Sequence, residues 1–94
     1  MKKIIRLTNG EQVICDLTEG NENTFLVKYA FLLMYDNDQA KIKYHPFAPF
    51  SERFGVLEMR KETVSFVSEP AVEISNSYDD LLNGRLPELN QVDE

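Results

Sequence analysis

Apolar and polar residues alternate along most of the chain ahead of Pro70. Residues 55–68 show the pattern well. Leu57 and Met59 fall on one side of a first run, with Val56, Glu58 and Arg60 on the other. After a charged corner at Lys61 and Glu62, Val64 and Phe66 share one face, and Thr63, Ser65 and Val67 the other. That is the period of two of half-buried strands. These two strands, 55–60 and 63–68, are expected to complete a sheet begun earlier in the chain.

Residues 4–7 and 13–17 predict two further strands. Asn9-Gly10 between them is a strong hairpin signal, because both residues accept positive φ. Val13, Cys15 and Leu17 share a face, opposite Gln12, Ile14 and Asp16. Residues 19–23 (EGNEN) form a polar turn. Residues 24–35 read as one long strand. Phe25, Val27, Tyr29, Phe31, Leu33 and Tyr35 lie on one face. Leu26, Ala30, Leu32 and Met34 lie on the other, interrupted by Lys28. A strand apolar on both faces is buried on both, so a terminal helix or a neighbouring subunit is expected to cover the outer one. Residues 36–39 are a turn, and 40–44 return as a strand with Ile42 and Tyr44 in phase. Pro46 and Pro49 forbid a central strand after that. Phe47, Phe50 and Phe54 are expected to fold against the sheet or an adjoining subunit. Beyond Pro70, Ser75, Asn76 and Ser77 are good N-caps, Asp79 and Asp80 suit a helix start, and Gly84 suits a stop. A short helix over residues 77–83 follows, with Tyr78, Leu81 and Leu82 as its apolar stripe. The polar end from Pro87 should fray. Two parts result: a β unit, 1–70, and a helical extension, 71–94.

With 94 residues and 43% hydrophobic content, the chain makes one globular domain. Its net charge of −6 argues against broad electrostatic binding of a nucleic-acid backbone, which needs clustered Lys and Arg. A local basic patch remains compatible with that balance. Cys15 is the only cysteine, so no internal disulfide forms, and a reducing, cytoplasmic location is expected. The apolar run after MKK is too short for a signal peptide, and nothing approaches the ~20 apolar residues that span a bilayer. Cys15 reads as a small buried hydrophobe. His45 lacks partners for catalysis or metal binding, and Asp36, Asp38, Asp79 and Asp80 lack calcium-loop spacing. No enzyme, cofactor or metal site is expected.

Two stretches resemble the Sm and Sm-like family, which includes bacterial Hfq. IRLTNGEQVICDL is similar to its first motif, a strand, an Asn/Asp-Gly turn and a second strand. VLEMRKETVSFVSEP is similar to its second, an apolar strand, Arg-Gly, a short turn and the closing strand. The resemblance implies a small five-stranded, strongly bent antiparallel barrel of the SH3-like type, here followed by a short C-terminal helix. A generic SH3-like barrel outside the family is the alternative fold. The family forms rings of six or seven subunits by pairing the fourth strand of one copy with the fifth of the next. By that resemblance Val56, Glu58, Thr63, Ser65 and Val67 would form the subunit interface. The family also binds single-stranded RNA around its pore, which points to Asn21, Asn23, Arg60 and Lys61 here. Arg60 matches the motif Arg, whereas Lys61 replaces the Gly. The family's Asp-to-Asn loop signature is not intact: Gly20 and Thr24 fall near its ends. Cys15 stands where many members have Gly. An adaptor ring working through protein contacts without nucleic acid is the second functional expectation.

Overall fold

A computed structural model describes residues 1–49 and 55–84. Phe50, Phe54 and the end from Pro87 lie outside the described residues. The chain forms strands β1 (Lys2–Leu7), β2 (Gln12–Glu19), β3 (Thr24–Asp36), β4 (Lys41–Pro46), β5 (Leu57–Arg60) and β6 (Val64–Ser68), then helix α1 (Val72–Leu82). All pairings are antiparallel, in the order β4-β3-β2-β1-β6, with β5 also on β3. This is a mainly β architecture with one short C-terminal helix. Among the described residues the sheet is not closed into a barrel, and it has six strands where five were expected. β4 pairs with the second half of β3 and β5 with the first, along the edge that β2 leaves free. Six strands therefore occupy five lateral positions.

The β1–β2 hairpin forms where Asn9-Gly10 places it. Only Gly10 takes positive φ, at 93°. Asn9 instead accepts the Glu11 N–H on its side-chain oxygen at 2.9 Å. Such a side-chain turn needs no left-handed residue.

β3 departs from strict alternation. Ile14 faces Phe31, but Asp16 faces Lys28, so β3 carries an extra residue opposite Cys15. Tyr29 takes φ 52° at this bulge. The bulge exchanges the faces. Phe25 and Val27 join one core with Ile5, Val13, Cys15 and Leu17. Tyr29, Phe31 and Leu33 join the other with Ile4, Ile14, Tyr78 and Leu81. The single apolar face expected for residues 25–35 is thus two half-faces. A second bulge corrects the reading of β6. Leu7 faces Val64 and Arg6 faces Phe66, which leaves Ser65 as the extra residue. Val64 and Phe66 consequently point to opposite sides.

The covering helix is present, and it starts earlier than residue 77. Ile74, Tyr78 and Leu81 share one face at i, i+4 and i+7. Burying Ile74 extends the helix back to Val72, with Ala71 at the N-cap making no side-chain bond. Asp79 and Asp80 therefore sit in the last turn, where the helix dipole disfavours negative charge. Lys2 offsets this, its Nζ lying 2.8 Å from Asp79 Oδ1. Gly84 stops the helix as expected, at φ 72°. Tyr78 donates its hydroxyl to the Tyr29 carbonyl at 2.8 Å and meets Phe31 edge-to-face, with centroids 6.0 Å apart. Phe47 folds back on the other core, its N–H donating to the Ala30 carbonyl at 3.0 Å. His45 lies in β4 opposite Leu32. Among the described residues no helix is long and apolar enough to cross a membrane.

Candidate functional site

The residues singled out from sequence meet where the β2–β3 loop touches the corner between β5 and β6. The loop is a tight turn. The Gly20 N–H donates to the Thr24 carbonyl at 3.0 Å, and the Asn21 N–H to Thr24 Oγ1 at 3.2 Å. Asn21 Oδ1 accepts the Asn23 N–H at 2.8 Å. Asn21 thus spends its side-chain oxygen inside the loop, as a turn former does.

The corner is a single turn of 3-10 helix over Lys61–Thr63. It is no hairpin: β5 leaves it to pair with β3, and β6 to pair with β1. Thr63 Oγ1 donates to the Arg60 carbonyl at 2.7 Å. Loop and corner are joined directly, because the Lys61 N–H donates to the Asn23 carbonyl at 2.8 Å and Thr24 faces Arg60 in the ladder. A shallow depression of about 350 Å³ lies between them, lined by Glu22, Asn23, Thr24, Arg60, Lys61 and Glu62. Three of the four candidate RNA contacts, Asn23, Arg60 and Lys61, line it. Asn21 adjoins it through the turn.

Charge in the depression is balanced locally. Lys61 Nζ lies 2.6 Å from Glu19 Oε1 and 5.1 Å from the Phe25 ring centroid. Arg60 Nη1 is 3.6 Å from Glu62 Oε1, with both side chains largely exposed. Such an exposed pair contributes ~0–1 kcal/mol, so Arg60 can change partner easily. Glu22 and Glu62 match the two cations of the lining, and Glu19 adds a third carboxylate beside it. Sequence reasoning missed Glu19 and Phe25 as partners of Lys61, since nothing local links positions so far apart in the chain.

The candidate interface residues fall on two separate edges. β5 pairs only with β3, and β6 only with β1, among the described residues. Glu58 sits on β5 and Val56 just before it, Thr63 in the corner, and Ser65 and Val67 on β6. All five are exposed. A head-to-tail contact needs two different patches on each copy.

Among the described residues no three His, Cys, Asp or Glu side chains form a metal-holding group. Cys15 is fully buried, and burial, reinforced by the neighbouring Asp16 charge, pushes its thiol up to about 12. Compared with protein-family models and with curated proteins, the sequence matches none.

Proposed function

We propose that this protein is an Sm-like subunit that closes its bent sheet into a barrel-like unit and assembles into a ring. One observation carries the reading: a single 3-10 corner separates two strands whose outer edges both lack partners among the described residues. β6 of one copy would pair with β5 of the next, and repetition would close a ring of six or seven, as the family resemblance implies. β4 and β5, sharing one lateral position, would act as the family's fourth strand. Unpaired edges invite aggregation, and ring closure removes them.

The ring works as a structural or adaptor platform through protein contacts. The charge pattern supports this over nucleic-acid binding, because carboxylates match the cations lining the depression, Glu19 holds Lys61 from beside it, and the whole chain carries −6. Single-stranded RNA at the pore is the second reading, favoured by the convergence of Asn23, Arg60 and Lys61. Stacking on a flat guanidinium would supply the grip.

Native mass spectrometry tests the ring, and a monomer at micromolar concentration would refute it. Fluorescence anisotropy with U-rich and A-rich oligonucleotides separates the two activities. Binding that Arg60→Ala abolishes would establish the RNA reading. Absence of binding at low salt leaves the adaptor reading.

A further inference from the structure

The face of the sheet that carries α1 is only half covered. Register sets its side chains in rows across the strands. Ile4, Ile14 and Phe31 form one row, beneath Tyr78 and Leu81. The next row runs Phe66, Arg6, Gln12, Leu33 and Tyr44, with Tyr35 and Ile42 beyond it. Leu33 and Tyr44 are partly buried against the helix-covered core, but the helix does not reach far enough to bury Phe66, Tyr35 and Ile42. Phe66 is 42% exposed, Ile42 39% and Tyr35 62%. An open groove of about 570 Å³ remains between the start of α1 and the β3–β4 hairpin.

Two opposite charges lie beside Gly10, at one end of this groove, without an ionic partner among the described residues. Arg6 has no carboxylate within ion-pair distance among the described residues. Among the described residues the Glu11 carboxylate meets only the Asn9 side-chain amide, at 3.0 Å. Gly10 separates them, and a Cβ placed there would lie 4.0 Å from the Arg6 guanidinium. A partner carrying charge of one sign would satisfy one group and repel the other. A surface carrying both signs, and both apolar knobs and an apolar recess, satisfies everything. This patch is itself such a surface, and self-complementarity is what a two-fold contact requires.

We propose that the groove is a two-fold interface between two copies of this chain. Tyr35 and Ile42 of each copy enter the groove of the other beside Phe66, and Arg6 of each pairs with Glu11 of the other. Apolar burial supplies the attraction, and the paired charges set the register. The surface is the α1-side face of the sheet, and it meets the edges assigned above to the ring at β6, whose Phe66 and Ser68 line the groove. If both contacts form, two rings stack. If only this one forms, the protein is a dimer.

Native mass spectrometry at micromolar concentration reads the result in either case. Ile42→Glu, at an exposed position, should halve the particle mass and leave the fold intact by circular dichroism. Arg6→Glu and Glu11→Arg should each halve it too, because each places like charges against each other twice. Mixing these two variants should restore the full mass, since every crossed pair is then complementary. Equal masses for wild type and Ile42→Glu would overturn the proposal, as would a mixture no larger than its components. Loss of the ring alone would leave the two-to-one ratio between wild type and variant unchanged.

Discussion

Replacing Tyr78 by phenylalanine removes one oxygen and, with it, the bond that ties α1 to the bulge in β3. The side chain is 2% exposed and its hydroxyl lies 2.8 Å from the Tyr29 carbonyl. Losing a hydrogen bond at a buried acceptor costs about 1–2 kcal/mol. For a domain of this size that lowers Tm by roughly 5–15 °C. Tyr78→Ala also empties the space against Phe31, Ile4 and Ile14, at a cost of about 3–5 kcal/mol. Val72→Ala, on the same helix but 70% exposed, serves as the control and should stay within ~0.5 kcal/mol. Urea denaturation followed by circular dichroism measures all three. If Tyr78→Phe and Tyr78→Ala both remain within that control range, the helix is not docked on the sheet and the account of the covered face fails.

Three further outcomes follow from the geometry. In Gly20→Ala the new methyl would lie 2.6 Å from Thr24 Oγ1 and 3.0 Å from the Thr24 carbonyl oxygen. Displacing Thr24 should destabilise the protein by about 1–3 kcal/mol, measured as a shift in the denaturation midpoint. Cys15 should resist thiol reagents until the chain unfolds. Its proton is held to about 12 in the fold, whereas an unfolded thiol ionises near ~8.5. Stability should therefore fall as pH rises above ~8.5, with a shallower fall in Cys15→Ala. Asp36 is held below the usual carboxylate range, first by the Lys43 side chain at 3.0 Å and also by the Gln39 and Asp38 amides. Its contribution is complete above ~3.9 and disappears as pH falls through the lower folded value. Asp36→Asn should flatten that acid limb in thermal unfolding.

Strand positions and turns were legible wherever local chemistry decides them. Asn9-Gly10, the polar loop before Thr24 and the stop at Gly84 all depend on a few neighbouring residues. The two bulges were not legible. A bulge at Tyr29 or Ser65 exists only because the partner strand imposes a register from elsewhere in the chain. Alternation read along one strand carries no record of it. The helix start was misplaced for a related reason. Capping preference favoured Ser75 to Ser77, but burial of Ile74 against the sheet outweighed it. At the candidate site the residue types Asn23, Arg60 and Lys61 were readable. Their convergence, and the Glu19 carboxylate that holds Lys61, emerged only with the pairing of β5 on β3.

The bulge at Tyr29 has a mechanical consequence. One continuous ribbon supplies anchoring side chains to two separate oil-like layers, on opposite sides of the molecule. Neither layer can melt while the other stays solid, since both grip the same backbone. Heat or denaturant should thus unfold the protein in a single step, and removing α1 should loosen packing around Val13 and Val27, which belong to the layer opposite the helix.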